Sequence, residues 1–246
     1  MKPSMTPQQA TLADSKQSAL SLYRNYAVGE GSWLSFLYYE FCMFSFSGLP
    51  GLPGFGLRSL FYPRILGACG HRPAFGRGMV IRRPGQIEIG KRCLFDDYSV
   101  LDVREDGAGM RFGDYVSVGR FSTVAAKGGE VILGNGVNIG TYCRLATQSR
   151  LELGESVLIA AYTYIGPGNH KAGDGHTPLI SREMEIKGGV RIGAHVWLGS
   201  HVTVADGVTI GEGSIIGAHS FVRDDIPAGV IAAGCPAKVL RTVESA

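Results

Sequence analysis

Reading every sixth residue from Ile186 returns an aliphatic side chain each time: Ile186, Ile192, Leu198, Val204, Ile210, Ile216 and Val222. A small or β-branched residue stands two places ahead of most of them (Val190, Val196, Val202, Val208, Ser214, Ser220). Glycine or alanine follows many, as at Gly193, Gly199, Ala205, Gly211 and Gly217. A helix needs apolar spacing near 3.6, and a half-buried strand needs strict alternation along its length. A period of six satisfies neither alone. It predicts a short strand, a turn and another short strand, with one aliphatic side chain pointing inward per unit and a glycine easing the corner.

The same unit appears upstream wherever two apolar residues flank one other residue and precede glycine. These openings are Ile87 to Gly90, Met110 to Gly113, Val131 to Gly134, Leu151 to Gly154, Val190 to Gly193 and Val208 to Gly211. The last two are 18 residues apart, or three hexads. Three strands per turn make a triangular coil, and stacked coils pair in parallel at about 4.8 Å. The earlier steps of 23, 21 and 20 residues imply small corner insertions. The step of 39 from Leu153 to Ile192 is 18 plus 21, so one corner carries an excursion of about twenty residues near 166–185. Stacking does not require this loop, which makes it a favoured place for function. Three regions follow: an extension over 1–80, a repetitive β domain over 81–226 with the excursion 166–185, and a tail over 227–246.

The extension changes character at Trp33. The run Trp33 to Phe44 is rich in aromatics and spans about three helical turns. Gly48, Pro50, Gly51, Pro53, Gly54 and Gly56 interrupt it, and a second apolar stretch from Leu57 to Leu66 carries Arg58 and Arg64. Neither stretch reaches the roughly 20 apolar residues of a spanning helix. One reading has these helices capping the main domain or packing on a neighbouring subunit. The other rests residues 33–66 on a bilayer, aromatics inward and arginines at the headgroups.

Composition narrows the classes. Hydrophobic residues are 45% and charged residues 18%, which supplies a sizeable core and argues against a disordered chain. The 36 glycines follow no every-third-residue rule, so they serve turns and not a collagen helix. A net charge of +3 with acids and bases interspersed lacks the dense basic face of a nucleic-acid binder. No basic-then-apolar secretory opening is present, and the five scattered cysteines read as reduced thiols, so the expected location is cytoplasmic.

The run Ile192 to Arg241 resembles the C-terminal half of the hexapeptide-repeat acyltransferases, enzymes that include galactoside, serine and streptogramin acetyltransferases. The matching pieces are Val196-Trp197-Leu198-Gly199, Gly207 to Gly211, Ile216-Gly217-Ala218, Asp225-Ile226-Pro227 and Ala233 to Arg241. Upstream, Leu158 to Tyr162 followed by Gly168-Asn169-His170 is similar to members acting on bacterial surface sugars. The resemblance implies an all-β fold, a left-handed parallel β-helix of triangular coils with a helical N-terminal extension. It also implies a homotrimer with acetyl-CoA as co-substrate in grooves between adjacent prisms, and no required metal.

The same resemblance assigns roles. His170 matches the histidine that takes the proton from the acceptor as it attacks the thioester, with His176 as the competing candidate. Imidazole suits the task because its ordinary pKa lies near neutrality. Trp197 matches the tryptophan flanking the pantetheine arm, and backbone groups at Ser200 and Ala218 match positions that bond its amides. Lys238 and Arg241 match residues that neutralise the 3′-phosphate. Where the family often has Thr-Lys, this chain has Arg223-Asp224, so Arg223 supplies the positive charge one place earlier. The implied reaction is acetyl transfer to a hydroxyl of a sugar or glycan precursor, with a lipid-linked acceptor at the inner face of the membrane fitting the apolar extension. Tyr162 and Tyr164 are candidates to stack on a sugar ring. Rival readings are an N-acetyltransferase on an amino sugar, a drug acetyltransferase, a zinc hydratase of the γ-carbonic-anhydrase type and a non-catalytic scaffold.

Overall fold

The computed structural model describes residues 18–166, 168–172, 176 and 178–243. Pro167, residues 173–175 and 177 of the excursion, the first 17 residues and the last three lie outside the described residues. Three sheets wall a triangular prism, and each coil contributes one short strand to each. The first sheet runs from Ala68–Cys69 through Arg150–Leu153 and Val190–Ile192 to Thr209–Ile210. The second runs from Ala74–Phe75 through Leu158–Ile159 and Trp197–Leu198 to Ile215–Ile216. The third runs from Val80–Arg82 through Tyr164–Ile165 and Thr203–Val204 to Phe221–Val222. Pairing is parallel and in step, with Leu153 opposite Ile192 and Ile192 opposite Ile210. A final antiparallel hairpin, Val230–Gly234 and Ala237–Thr242, extends the second sheet.

The inward aliphatics of the hexad fill the prism axis: Ile192, Leu198, Val204, Ile210, Ile216 and Val222 are all buried. Ile186 departs from the expectation and is exposed, because it belongs to the excursion and not to a coil wall. The prism also begins a coil earlier than residue 81. Its first coil, from Ala68, keeps the six-residue step through Cys69, Phe75, Ile81 and Ile87, but Cys69 and Phe75 stand where the later coils place aliphatics. Phe75 and Phe95 stack at 5.7 Å inside the prism, and Phe112 meets Phe95 edge-on.

Every length change falls at one vertex. Residues 104–108, 127–129 and 148–149 join the third sheet to the first, and so does the long excursion between Ile165 and Val190. The vertex between the second and third sheets never changes length. There Tyr98, Phe121, Tyr142, Tyr162, His201 and His219 all sit at φ between 57° and 63°. Such a conformation costs a non-glycine residue about 1–2 kcal/mol. Their rings form one continuous column with centroids 4.6–5.3 Å apart and planes within 16° of parallel, and that stacking offsets the strain. The outer face of the first sheet instead carries alternating charge, Glu88–Arg111–Glu130–Arg150–Glu152–Arg191.

Three helices close the N-terminal end: α1 (Ala19–Val28), α2 (Trp33–Phe46) and α3 (Gly51–Phe61). Ser18 and Ser32 cap α1 and α2 by accepting from the backbone three residues on. The glycines and proline from Gly51 to Gly56 do not interrupt a helix; they form the first turns of α3. Pro53 is tolerated there because first-turn N–H groups have no intrahelical partner. Gly54 is needed because a Cβ would run into the Leu49 carbonyl. The buried Arg58 guanidinium ties α3 to the first coil, with Nε donating to the Phe75 carbonyl at 2.9 Å and Nη1 to Phe46 and Leu49. Tyr39 Oη donates to the Ile81 carbonyl at 2.8 Å.

Candidate active site

The excursion leaves the prism as a two-stranded ribbon, Asn169–His170 antiparallel to Met184–Glu185. Asp206 in the next coil accepts from the backbone N–H groups of Lys187 and Gly189, which anchors the returning strand. Gly189 has φ 95° and a Cβ there would run into the Arg150 carbonyl, so no side chain fits at this root. Beyond the pair, Lys171 Nζ lies 2.7 Å from Glu183 Oε2. The hydrogen bond raises the lysine pKa and lowers that of the carboxyl. Both side chains are in open solvent, so this clasp sets the ribbon's register more than its stability.

His170 is exposed, and its Nδ1 lies 3.1 Å from the Arg182 carbonyl oxygen. A carbonyl only accepts, so Nδ1 carries the hydrogen and Nε2 of the neutral ring keeps its lone pair. His176 is exposed on the same excursion. His195, His201 and His219 are corner residues with positive φ, and the last two are members of the ring column. Among the described residues, no three His, Cys, Asp or Glu side chains gather closely enough to hold a metal ion.

Trp197 points outward from the second sheet, between Leu158 and Ile215, with 47% of its surface exposed. Ser200 and Ala218 follow at the adjoining corner on successive coils, about 4.8 Å apart. The Ser200 carbonyl accepts from His219 N–H at 2.9 Å, while the N–H groups of Ser200 and Ala218 meet no acceptor among the described residues. Two free donors one coil apart on the tryptophan's side of the prism suit a chain of amide carbonyls. Farther along, Asp224 lies between two cations, 3.5 Å from Arg223 Nε and 3.8 Å from Lys238 Nζ. Arg241 is exposed on the terminal hairpin and donates to its neighbour's carbonyl. The structure thus groups Trp197 with Ser200 and Ala218, and Arg223 with Lys238. His170 stands apart from Trp197, Ser200 and Ala218, on the vertex between the third and first sheets, which Arg223 also occupies farther along the prism.

Tyr162 corrects an expectation. Tyr142 covers one face of its ring at 5.2 Å and His201 the other at 4.7 Å, so neither face is open to a sugar. From the sequence only His201 and His219, 18 residues apart, are expected to stack on one edge; the full column has steps of 23, 21, 20, 39 and 18 residues that copy those of the strand openings. Cys143 is buried, with its thiol 3.2 Å from the Ala160 carbonyl, and burial raises its pKa.

A family profile described as bacterial transferase hexapeptide (six repeats) matches residues 189–224. A putative lipopolysaccharide biosynthesis O-acetyl transferase of Escherichia coli, WbbJ, is 33% identical over 147 residues, covering 56% of this chain and 74% of the relative. A probable acetyltransferase of Mycobacterium tuberculosis is 37% identical over 134 residues, covering 54% of this chain. The chain spans only 44% of that mycobacterial protein. The crystal structure of the polysialic-acid-specific acetyltransferase NeuO superposes with a TM-score of 0.58 at 24% identity, over 71% of this chain and 81% of its own. The prism is accordingly a left-handed parallel β-helix with a helical N-terminal extension.

Proposed function

Because the chain belongs to the bacterial hexapeptide-repeat transferases, we propose that it moves an acetyl group from acetyl-CoA to a hydroxyl of a sugar or glycan precursor, with His170 as general base. The observation that carries the assignment is the Nδ1–H bond from His170 to the Arg182 carbonyl, which leaves Nε2 basic and facing solvent. In the reaction Nε2 takes the hydroxyl proton while the oxygen attacks the thioester carbon. The C–S bond then breaks and the thiolate of CoA recovers the proton from the imidazolium. No acyl-enzyme is needed, consistent with Cys143 being buried.

The acyl donor lies along the second sheet. Trp197 flanks the pantetheine arm, the Ser200 and Ala218 amides bond its carbonyls, and Arg223, Lys238 and Arg241 meet the phosphates. Since His170 projects from the opposite vertex, the working site joins one prism's ribbon to a neighbour's second sheet, and a closed trimer gives three such seams. Acetyl-CoA supply and the reduced thiols favour the cytoplasm. The test is release of free CoA thiol from acetyl-CoA with a panel of sugars and amino sugars. His170→Ala lowers turnover about 10²–10⁴-fold with little change in KM for acetyl-CoA. An unchanged rate removes this residue from the mechanism.

A further inference from the structure

The helical cap buries one stripe of α2 and leaves another bare. Phe36, Tyr39, Cys42 and Phe46 face the prism, while Leu34, Leu37, Phe41 and Phe44 recur at steps of three and four on the outer side. Leu34 is 77% exposed and Phe44 93%. On α3, Leu52 is 81% exposed, and Phe55 and Leu60 are bare as well. A surface helix of a soluble domain normally turns polar residues outward, so this face lacks its partner.

Charge says what the partner is. Residues 18–92 carry nine Lys or Arg against three Asp or Glu, a net of +6, whereas residues 93–246 carry thirteen against seventeen, a net of −4. Several cap-end cations lack a counter-charge: Arg64, Arg72, Arg77 and Arg92 are exposed and make no ion pair among the described residues, Arg64 donating only to the Leu60 carbonyl and lying over Phe61. A cavity of about 430 Å³ between the helices and the first coil is lined by Leu34, Tyr38, Ile65, Leu66 and the Arg64 side chain, apolar walls with one guanidinium. Bare aliphatic and aromatic residues beside unpaired arginines match the acyl region and anionic headgroups of a bilayer surface. No described helix is long and apolar enough to cross a membrane.

We infer that the cap seats the protein on an anionic lipid bilayer, with the outer faces of α2 and α3 in the acyl–headgroup boundary and Arg64, Arg72, Arg77 and Arg92 against lipid phosphates. The inference stands apart from the acetyl-transfer reading, since binding is measured without turnover. The experiment is flotation of the full chain with vesicles of phosphatidylcholine alone or mixed with phosphatidylglycerol. The wild type floats with the mixed vesicles, is released by high salt, and binds phosphatidylcholine alone at least about tenfold more weakly. Each of Arg64→Gln and Arg72→Gln lowers the partition coefficient about fivefold. Leu34→Ser combined with Phe44→Ser abolishes flotation while the melting temperature and thiol release stay at wild-type values. The inference is overturned if the protein ignores both vesicles, if the double variant floats as before, or if the wild type self-associates through this face and Phe44→Ser disperses it without any vesicle binding.

Discussion

Trp197 and His170 belong to successive coils of one chain yet stand on opposite sides of the prism, one projecting from the second sheet and the other from the vertex between the third and first. No side-chain rotation closes that separation, so a site holding both takes them from two chains. At acetyl-CoA far below the raised KM, co-expressing His170→Ala with Trp197→Ala subunits therefore restores part of the turnover that each variant lacks alone. Activity assays on the purified mixed oligomer read this out, and two inactive parents yielding an inactive mixture defeat the composite site.

Asp224 pairs with both Arg223 and Lys238, the side chains that the proposed function assigns to the phosphates of the donor. All three side chains are largely exposed, so the ion pairs are worth little and a phosphate displaces them readily. Asp224→Asn lowers KM for acetyl-CoA by up to about fivefold. The KM for acetyl-CoA lacking its 3′-phosphate does not change, nor does kcat. Equal effects on both donors would move the phosphate contact elsewhere.

Adjacent residues on one strand part company in stability. Leu198 is fully buried, and Leu198→Ala costs about 2–5 kcal/mol through lost burial and the cavity left behind. Trp197→Ala, on the outer face, stays within about 1 kcal/mol while raising KM for acetyl-CoA. Urea midpoints compared with kinetics separate the two.

Alkaline pH weakens the cap. Burial pushes the Tyr62 phenol up to about 12 and the Cys69 thiol up to about 11, and it raises Cys42 and Cys93 as well. Each neutral form is favoured by folding, so this stabilisation is complete below the ordinary thiol and phenol values. It is lost as pH climbs from those values through the raised ones. Urea midpoints fall steadily above about pH 9, and alkylation of the native protein at about pH 8 labels the exposed Cys235 ahead of Cys143. A flat midpoint across that range contradicts the assignment.

The prism was readable because an aliphatic residue every sixth place has one geometric solution, and Ile192 through Val222 obey it without exception. The same rule overreached at Ile186, where an apolar residue keeps the period by coincidence in a segment that has left the wall. The first coil was illegible because Cys69 and Phe75 break the aliphatic run at its six-residue step, and Gly67 stands where later openings carry an apolar side chain. His170 was visible only through family resemblance. What makes its ring basic at Nε2 is the Arg182 carbonyl twelve residues away, a backbone contact that no side-chain pattern encodes. The occupation of both Tyr162 faces was hidden for a related reason, since its neighbours lie 20 and 39 residues distant.

Two edges of the prism keep constant length, one of them lined by the ring column, and growth and deletion are confined to the vertex after each coil's third strand. Evolution can lengthen, shorten or replace those hairpins without disturbing a single stacked coil, and the hairpin it would be altering is the one that presents the imidazole. On the proposed function, acceptor preference is thereby uncoupled from foldability, and grafting a relative's hairpin between Ile165 and Val190 becomes a direct route to changing which molecule is acylated.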